Sequence, residues 1–434
     1  MQAIRTYYSQ LTRLTAHRSY RRLLVGGAIS ALGDRIGYIA FLAAVTHASS
    51  GVMAVGMLTM AEMLPPIIAA PIVSLMVDRF DRRKLMFWSD IARAGFFLIA
   101  ALYPSLWIFY TTAFMSAAFT VLFEPSRQAL EPHYVPEGEI TQANGIRQSM
   151  MSVVMICGPA IGGLLAGTVG FTYAFLINAV SFLGSAYMVR DLDPVERRSD
   201  EKRESIKEEL LGGFRLVNAS PSLKYLFIMF AVFTLVIGIQ FPLIYVFVKE
   251  VLHGGPTEAG WLFSAVGVGG LLGGAALASL KKEKQPFDLK TLRGKRNIAL
   301  LAAIDGVLVL LFAVQTSLIP TMIFFGMFGF VGTAFHAAIT AAVATESPEH
   351  LRGRVFALHT ALHGPLIVLS IALGTPLAEQ YGSVPVFLGS GILEIVVGAA
   401  CLAWAISMHR TKQSAPSYNI SPSFSPLRSP DKEG

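Results

Sequence analysis

Charge is scarce in this 434-residue sequence: Asp, Glu, Lys and Arg together make up 15% of it. A soluble globular chain carries about 25%. With 53% hydrophobic residues beside that scarcity, a string of water-soluble domains is excluded. Cysteine is nearly absent too. Cys157 and Cys401 are the whole set, and both lie in apolar runs, which leaves no disulfide framework and no zinc site. No G-x-x-x-x-G-K-[ST] phosphate loop occurs, because Gly294-Lys295 is followed by Arg296, so a nucleotide motor of that kind is excluded. An intramembrane zinc protease also fails: His359 and His363 lie four apart, but Thr360 stands where the chemistry needs Glu. The pair reads instead as polar cavity or helix-contact residues. The glycines of 267–274 sit inside an apolar run and follow no strand, so they are no dinucleotide loop. The sequence therefore implies neither metal nor cofactor.

What it has in abundance is long apolar runs. Twelve are read as spans, at 23–46, 53–77, 85–103, 106–128, 141–167, 171–189, 223–248, 259–280, 298–314, 318–343, 355–378 and 384–408. Each approaches the roughly 20 residues that cross a hydrocarbon core of about 30 Å. The expected fold is all-α and integral to the membrane, with twelve transmembrane helices as two six-helix bundles. The first run is not read as a cleaved signal peptide, being too long and interrupted by Asp34-Arg35.

The net charge of +7 does not point to nucleic acid, because the positive residues are placed by topology. Except for Lys249 and the intraspan Arg35 and Arg93, every Lys and Arg falls in the N-terminus, the tail, the alternate loops on their side, or the helix ends beside them. That is the positive-inside pattern, and with an even number of spans it puts both termini in the cytoplasm. The organisation is read as a cytoplasmic N-terminus (1–22), an N-terminal bundle (23–189), a polar linker (190–222), a C-terminal bundle (223–408) and a disordered Ser/Pro-rich tail (409–434). In the linker, Ile206, Leu210, Phe214 and Val217 share one helical face, as in a helix lying at the membrane surface or in a solvated connector. Pro136-Glu137 before span 5 is echoed by Pro348-Glu349 before span 11, which fits duplicated halves around a midplane cavity.

After span 2 the chain reads Ser74-Leu-Met-Val-Asp78-Arg79-Phe-Asp81-Arg82-Arg83-Lys84. This resembles the loop 2–3 signature of the major facilitator superfamily, with Ser74 and Asp81 in place of two glycines. The D-R-F-D-R-R form is similar to the drug/proton antiporter-like branch that includes macrolide efflux proteins and the enterobactin exporter. Gly158-Pro159-Ala-Ile-Gly162-Gly163 resembles the core of the antiporter motif, although Val154 stands where a leading Gly is usual. Gly33-Asp34, Phe123 to Arg127 and Arg352-Gly353-Arg354-Val355 follow in the expected order. The resemblance implies a latch in which Asp78 pairs with Arg127 when the cytoplasmic side is closed, with Arg79, Arg82 and Arg83 in support. The plainer reading of these basic residues is as topology anchors. It also implies that spans 5 and 8 meet at the seam between halves. Gly269/Gly273 and Gly270/Gly274 of span 8 would there face the span-5 glycines, small residues at that spacing allowing close approach in lipid.

Ionisable groups inside spans are costly and usually functional. Asp34, Glu62 and Asp305 are the proton-coupling candidates, with Asp34 preferred because it sits about 18 Å into its span, near the midplane. Arg35 points about 100° away from Asp34 on the helix, so the two neighbours are not a ready pair. Asp90 and Arg93, three apart, are expected to pair with each other. Glu124 ends span 4 and Glu394 is read as structural. One charge crossing 100 mV is worth about 2.3 kcal/mol and each pH unit about 1.4 kcal/mol, enough to drive concentration without ATP. Phe41, Met60, Phe230, Phe241, Tyr245 and Phe328 are aromatic or Met residues suited to line a cavity. The function expected is proton-coupled export of a small amphipathic compound by a monomer in contact with lipid. The alternatives are a lysophospholipid flippase, a metabolite importer and, further off, an enzyme.

Overall fold

The computed structural model describes residues 2–49, 51–195, 206–279, 287 and 291–414. Among them there are helices and no strands. A short helix α1 (Gln2–Ala16) precedes six long ones: α2 (Arg18–Ala48), α3 (Val52–Arg79), α4 (Arg82–Leu102), α5 (Leu106–Tyr134), α6 (Ile140–Thr168) and α7 (Phe171–Arg190). A linker helix α8 (Ile206–Ala219) leads to six more: α9 (Pro221–Glu250), α10 (Pro256–Ala278), α11 (Leu292–Ala313), α12 (Leu318–Glu346), α13 (Arg352–Tyr381) and α14 (Ser383–Ser414). Twelve helices, α2–α7 and α9–α14, are long and apolar enough to cross a membrane. They coincide with the twelve expected spans. The last runs on to Ser414, past the expected boundary, and the tail reading from 415 lies outside the described residues.

Local chemistry explains where the chain turns. Gly170 between α6 and α7 has φ +99°, and Gly382 between α13 and α14 has φ +84°, a left-handed backbone that only glycine adopts without strain. The interval between these two glycines is the one that separates Pro136 from Pro348, so the two bundles share their turn chemistry as well as their span count. Three helix starts are capped by the side chain that precedes them: Ser220 accepts from the Leu223 N–H, Thr291 from Gly294, and Asp81 from Arg83. Each satisfies a backbone donor that the helix leaves free.

The buried apolar residues form three clusters that disclose the overall shape. One is built jointly by both bundles, from Ile36–Val45, Val55, Phe97 and Phe175 on one side and Leu243–Val248, Phe263, Phe312 and Phe387 on the other. All lie in the helix halves away from the N-terminus. Toward the face that carries the N-terminus the core divides in two, one cluster around Tyr20, Phe123 and Ile146, the other around Tyr225, Phe230 and Phe335. The bundles are therefore sealed together at the distal face and parted at the N-terminal face, with a cleft between them.

Several polar bonds cross the distal seal. Lys249 Nζ donates to the Thr46 carbonyl at 3.2 Å, and Glu379 Oε2 accepts the Met53 N–H at 2.8 Å. Glu379 thus caps the start of α3 from the opposite bundle, where the helix dipole favours a carboxylate. One turn further in, Gly56 leaves room for Thr375. Linker helix α8 is fastened to the C-terminal bundle: Gly213 lies against the Arg354 carbonyl, and Val217 joins the core there, while Phe214 stays exposed. The linker helix is thus braced on the first turn of α13.

The Glu379 cap exists only while the distal face is closed. Losing a bond worth about 1 kcal/mol at so exposed a site changes an equilibrium about fivefold. In a background without Cys157 and Cys401, Thr375→Cys lies buried in the seal. Adding Glu379→Ala is expected to raise its labelling by a membrane-impermeant thiol reagent about fivefold. An unchanged rate would show that the cap does not hold the seal.

Candidate functional site

Arg93 of α4 is the centre of the N-terminal bundle's polar interior. Its side chain is 1% exposed and bears two carboxylates: Nη2 lies 2.5 and 2.6 Å from the two Asp34 oxygens, and Nη1 lies 3.2 Å from Asp90 Oδ1. Nη1 also donates to Ser30 at 3.2 Å and Nε to Ser116 at 3.4 Å, while the guanidinium lies 3.9 Å from the Phe182 ring centre. The arrangement follows from helical spacing. Ser30 and Asp34 are one turn apart on α2, Asp90 and Arg93 one turn apart on α4, and α5 and α7 close the ring. Helix α2 comes this near its neighbours because Gly33 faces Asn178 and Ser181, and Gly37 faces Asn178 and Phe97. The expected Asp90–Arg93 pair is present, but it is half of the site. The bond to Asp34 was missed. A signal for it was there: Asp34 has no basic residue a turn away, and besides Arg35 the one arginine inside a span and away from its first two and last two turns is Arg93.

Asp34 is the outlet of this cluster. Its side chain is 36% exposed, whereas Asp90 is fully buried. Tyr38, one turn along α2, makes an edge contact with Phe263 of α10 at 5.7 Å, so this face of α2 is turned toward the C-terminal bundle, against the shared core. Arg35 is exposed beside it, and Glu62 of α3 lies within electrostatic range of Arg35, Asp34 and Tyr38. With both carboxylates ionised, the pair carries one negative charge more than the guanidinium they share.

Across the cleft lies an apolar cavity of about 290 Å³. Phe230, Phe233, Phe241, Phe328 and Phe335 supply its rings, with Thr234, Thr333, His336 and His363 as the polar points. Phe263 touches both Phe241, at 5.9 Å, and Tyr38, which joins this cavity to the Asp34 face by a chain of rings. Of the aromatic and Met residues singled out in the sequence, Phe230, Phe241 and Phe328 line the cavity, whereas Phe41 and Tyr245 are core. The His359 ring lies tilted against Phe230, centres 4.0 Å apart, and its centre is 6.5 Å from that of His336. Among the described residues no group of His, Cys, Asp and Glu is arranged to hold a metal.

The glycine motifs divide between faces. On α6, Gly158 and Gly162 pack on Arg35 and Ile36 of α2, inside their own bundle, and Pro159 sits between them. Gly163 and Gly167 face Pro256, Gly260 and Thr257 of α10, so this pair forms the seam. Ser264 and Thr257 of α10 complete it by donating to the Ile156 and Gly163 carbonyls at 2.6 and 3.2 Å. The expected seam stripe of α10 is corrected. Gly269 and Gly273 lie against Gly326 and Phe330 of α12, Gly270 against Thr333, and Gly274 against nothing within 4 Å. Gly260 and Gly267 meet α6 instead. Two small-residue stripes lie on α10 at different helical phases, and the spacing alone does not tell which partner each one serves.

At the N-terminal face, Arg127 binds along its own helix: Nη2 to Glu124 at 2.6 Å and Nη1 to Glu131 at 2.8 Å. Arg147 of α6 lies 3.6 Å from the same Glu131. The side chain of Asp78, its expected partner, lies outside the described residues. Arg79 is exposed. Arg83 binds the Asp81 carboxylate at 2.9 Å and donates to the Leu192 carbonyl at 2.9 Å, tying loop 2–3 to the end of α7. Asp81 replaces the family's glycine with a helix cap. Partial burial raises its carboxyl, but the Arg83 guanidinium and N–H outweigh this and hold it below the usual carboxylate range. The cap is therefore in force at neutral pH and is lost as pH falls through that lowered value.

Asp305 of α11 is fully buried beside Glu394 of α14, away from the residues that line the aromatic cavity.

Comparison with known proteins agrees with this architecture. The family model described as Major Facilitator Superfamily matches residues 23–361. An uncharacterized MFS-type transporter, YfiS of Bacillus subtilis, is 28% identical over 88% of this chain and 91% of its own length. Multidrug efflux pump Tap of Mycolicibacterium fortuitum is 26% identical over 88% and 94%, and macrolide efflux protein A of Streptococcus pyogenes 26% over 87% and 93%. Among solved structures, the nucleoside transporter NupG aligns at TM-score 0.71 and 12% identity, over 88% of this chain and 98% of that one. A bacterial homologue of the iron transporter ferroportin, in an inward-facing state, aligns at 0.69 and 15%, over 89% and 99%. These likenesses, twelve membrane-length helices in two bundles and a cleft between them make one conclusion: the chain belongs to the Major Facilitator Superfamily and is a multi-pass membrane transporter, not an enzyme.

Proposed function

We propose that this protein exports a small amphipathic compound from the cytoplasm of a bacterial cell in exchange for protons, with both termini cytoplasmic. The observation that carries the reading is the unequal charge at Arg93: two carboxylates share one guanidinium, and the more exposed of them, Asp34, faces the cleft. A proton arriving at Asp34 neutralises the cluster and loosens its hold on Arg93, and its departure restores the bond. On this topology the cleft is open to the cytoplasm, where a compound enters the aromatic cavity from the inner side. The cavity's volume lies near the lower end of the roughly 300–1,000 Å³ usual for small-molecule sites. Ring faces and a few polar points suit a flat or bulky apolar body with a polar group. Relatives named for multidrug and macrolide efflux support the outward direction. Asp78 and Arg127 remain the proposed latch for the opposite state, in which Arg127 would exchange an intrahelical partner for one on α3.

Everted membrane vesicles give the direct test. Proton-driven uptake of a fluorescent dye or a macrolide is expected in the wild type. In Asp34→Asn, accumulation should fall by about tenfold for each pH unit of gradient that the wild type uses. Full gradient-driven transport in that variant would remove Asp34 from coupling. Movement of lysophospholipid, in place of dye, would overturn the substrate reading.

Phe230 is the ring shared by the cavity wall and the two histidines of α13. Phe230→Ala is expected to weaken binding of an aromatic substrate several-fold, in line with about 0.5–1.5 kcal/mol for a lost ring contact, and to leave proton uptake by the N-terminal bundle in place. Equilibrium binding by tryptophan quenching measures the first effect and a pH-indicator assay the second.

A further inference from the structure

A second acidic site lies within the C-terminal bundle, and the transport reading does not use it. Asp305 of α11 is 0% exposed and Glu394 of α14 is 1% exposed. They lie about 12 to 17 Å from the distal ends of their helices, by the 1.5 Å rise per residue, deep in the apolar layer. The two carboxyls face each other within hydrogen-bonding range. Both Asp305 oxygens and Glu394 Oε2 have no other hydrogen-bond partner. Glu394 Oε1 accepts from the Gln240 amide of α9 at 2.8 Å, and that amide also reaches Ser390 at 3.1 Å. The backbones beside the pair are in contact, because Gly306 and Gly391 bring α11 and α14 so close that a Cβ on Gly306 would lie 2.5 Å from the Gly391 carbonyl.

Every helix packed on the pair leaves it without a cation. From α9 the facing group is the neutral Gln240. The charged and titratable groups of α12 and α13 (His336, Glu346, Arg352, Arg354, His359, His363, Glu379 and Tyr381) are not among the groups that act on it. Two ionised carboxylates in contact in this medium would repel each other with nothing to offset them. We propose that Asp305 and Glu394 form a proton-binding site, one proton being shared between the two facing carboxyls. Asp305 O–H donates to Glu394 Oε2, while Gln240 holds the charge on Glu394 from the other side. Either direction of that bond leaves one Asp305 oxygen without a partner, and the Gln240 amide on Glu394 Oε1 favours the charge there. Helices α9, α11 and α14 belong to one bundle, so rocking of the two halves leaves the pair's geometry unchanged. The proton is therefore a resident one, distinct from the proton at Asp34, and the proposal stands whether or not transport is proton-coupled.

Infrared difference spectra of the purified full-length protein, taken between neutral and strongly alkaline pH, read the shared proton directly. The wild type is expected to show a protonated-carboxyl band at neutral pH that disappears on alkalinisation, together with a fall in Tm. Asp305→Asn keeps the hydrogen-bond donor and the single charge. It should fold, lack that band and lose the alkaline fall in Tm, and Glu394→Gln should do the same. Should the amide variants fail to fold, Glu394→Asp retains two carboxyls and should shift the band. Spectra identical among all these proteins would overturn the proposal. So would a higher Tm in sodium than in choline at one pH, because that would make the site one for a metal cation. Neither readout involves transport, so the outcome is separable from that of the Asp34 experiment.

Discussion

The structure of the N-terminal bundle depends on a buried guanidinium that must be kept neutralised. Arg93 is inside a span and almost wholly covered, where an unpaired charge would cost several kcal/mol. Its hydrogen bonds reach α2 and α5 as well as Asp90 of its own helix, and its flat face lies on a ring of α7. Three partner helices are thereby fixed in depth and rotation relative to α4. The glycines at 33 and 37 follow from this constraint: side chains there would drive α2 away from α7 and pull Asp34 off Arg93. Packing and electrostatics are solving one problem at this point.

The second constraint is how two bundles stay associated while leaving a cleft. An apolar core shared by both holds the distal halves, with tilted ring contacts such as Phe41–Phe175 on one side and Phe247–Phe312 on the other. Across the seam the bonds are few and are made mainly to backbone carbonyls and N–H groups. Such bonds can be exchanged for water at modest cost, whereas the within-bundle contacts of Gly158, Gly162, Gly269 and Gly273 allow no separation without opening voids. The motif glycines of α6 and α10 therefore divide into those that keep each bundle rigid and those, Gly163, Gly167 and Gly260, that let the bundles meet. A rigid-body rocking motion needs both kinds.

The fold was legible because crossing a bilayer imposes length and apolarity on every span, and those are properties of composition. Spans 1 to 12 could be read without knowing any contact. What the sequence concealed are relations of rotation between helices. Asp34 and Arg93 are far apart in the chain, and their meeting depends on the angle at which α2 and α4 pack. The face that Gly269 presents depends on whether α12 or α6 is nearer. Arg127 had acids within its own helix at three and four residues, a local pairing that a family-based expectation of a distant partner passed over. Asp81 looked like a departure from a motif and is a helix cap, a role its position just before Arg82 could have revealed.

Two buried acid pairs with opposite environments show why residue type alone does not fix a role. Asp34 and Asp90 have an arginine between them and Asp34 is partly exposed, so on the proposed reading their charge is balanced in two ways, by Arg93 alone or by Arg93 and a proton. The two balances differ in how tightly α2 and α4 are bonded, which is what a coupling site requires. Asp305 and Glu394 have no arginine, no opening and a single neutral amide beside them. Only one balance is available there, and it does not change as the bundles move relative to each other. An acid inside a span can respond to the transport cycle when it can be reached from the cleft and when a second partner competes with the proton for it. On the proposed reading Asp34 meets both conditions and Asp305 neither, although the sequence shows each simply as a carboxylate deep in an apolar run.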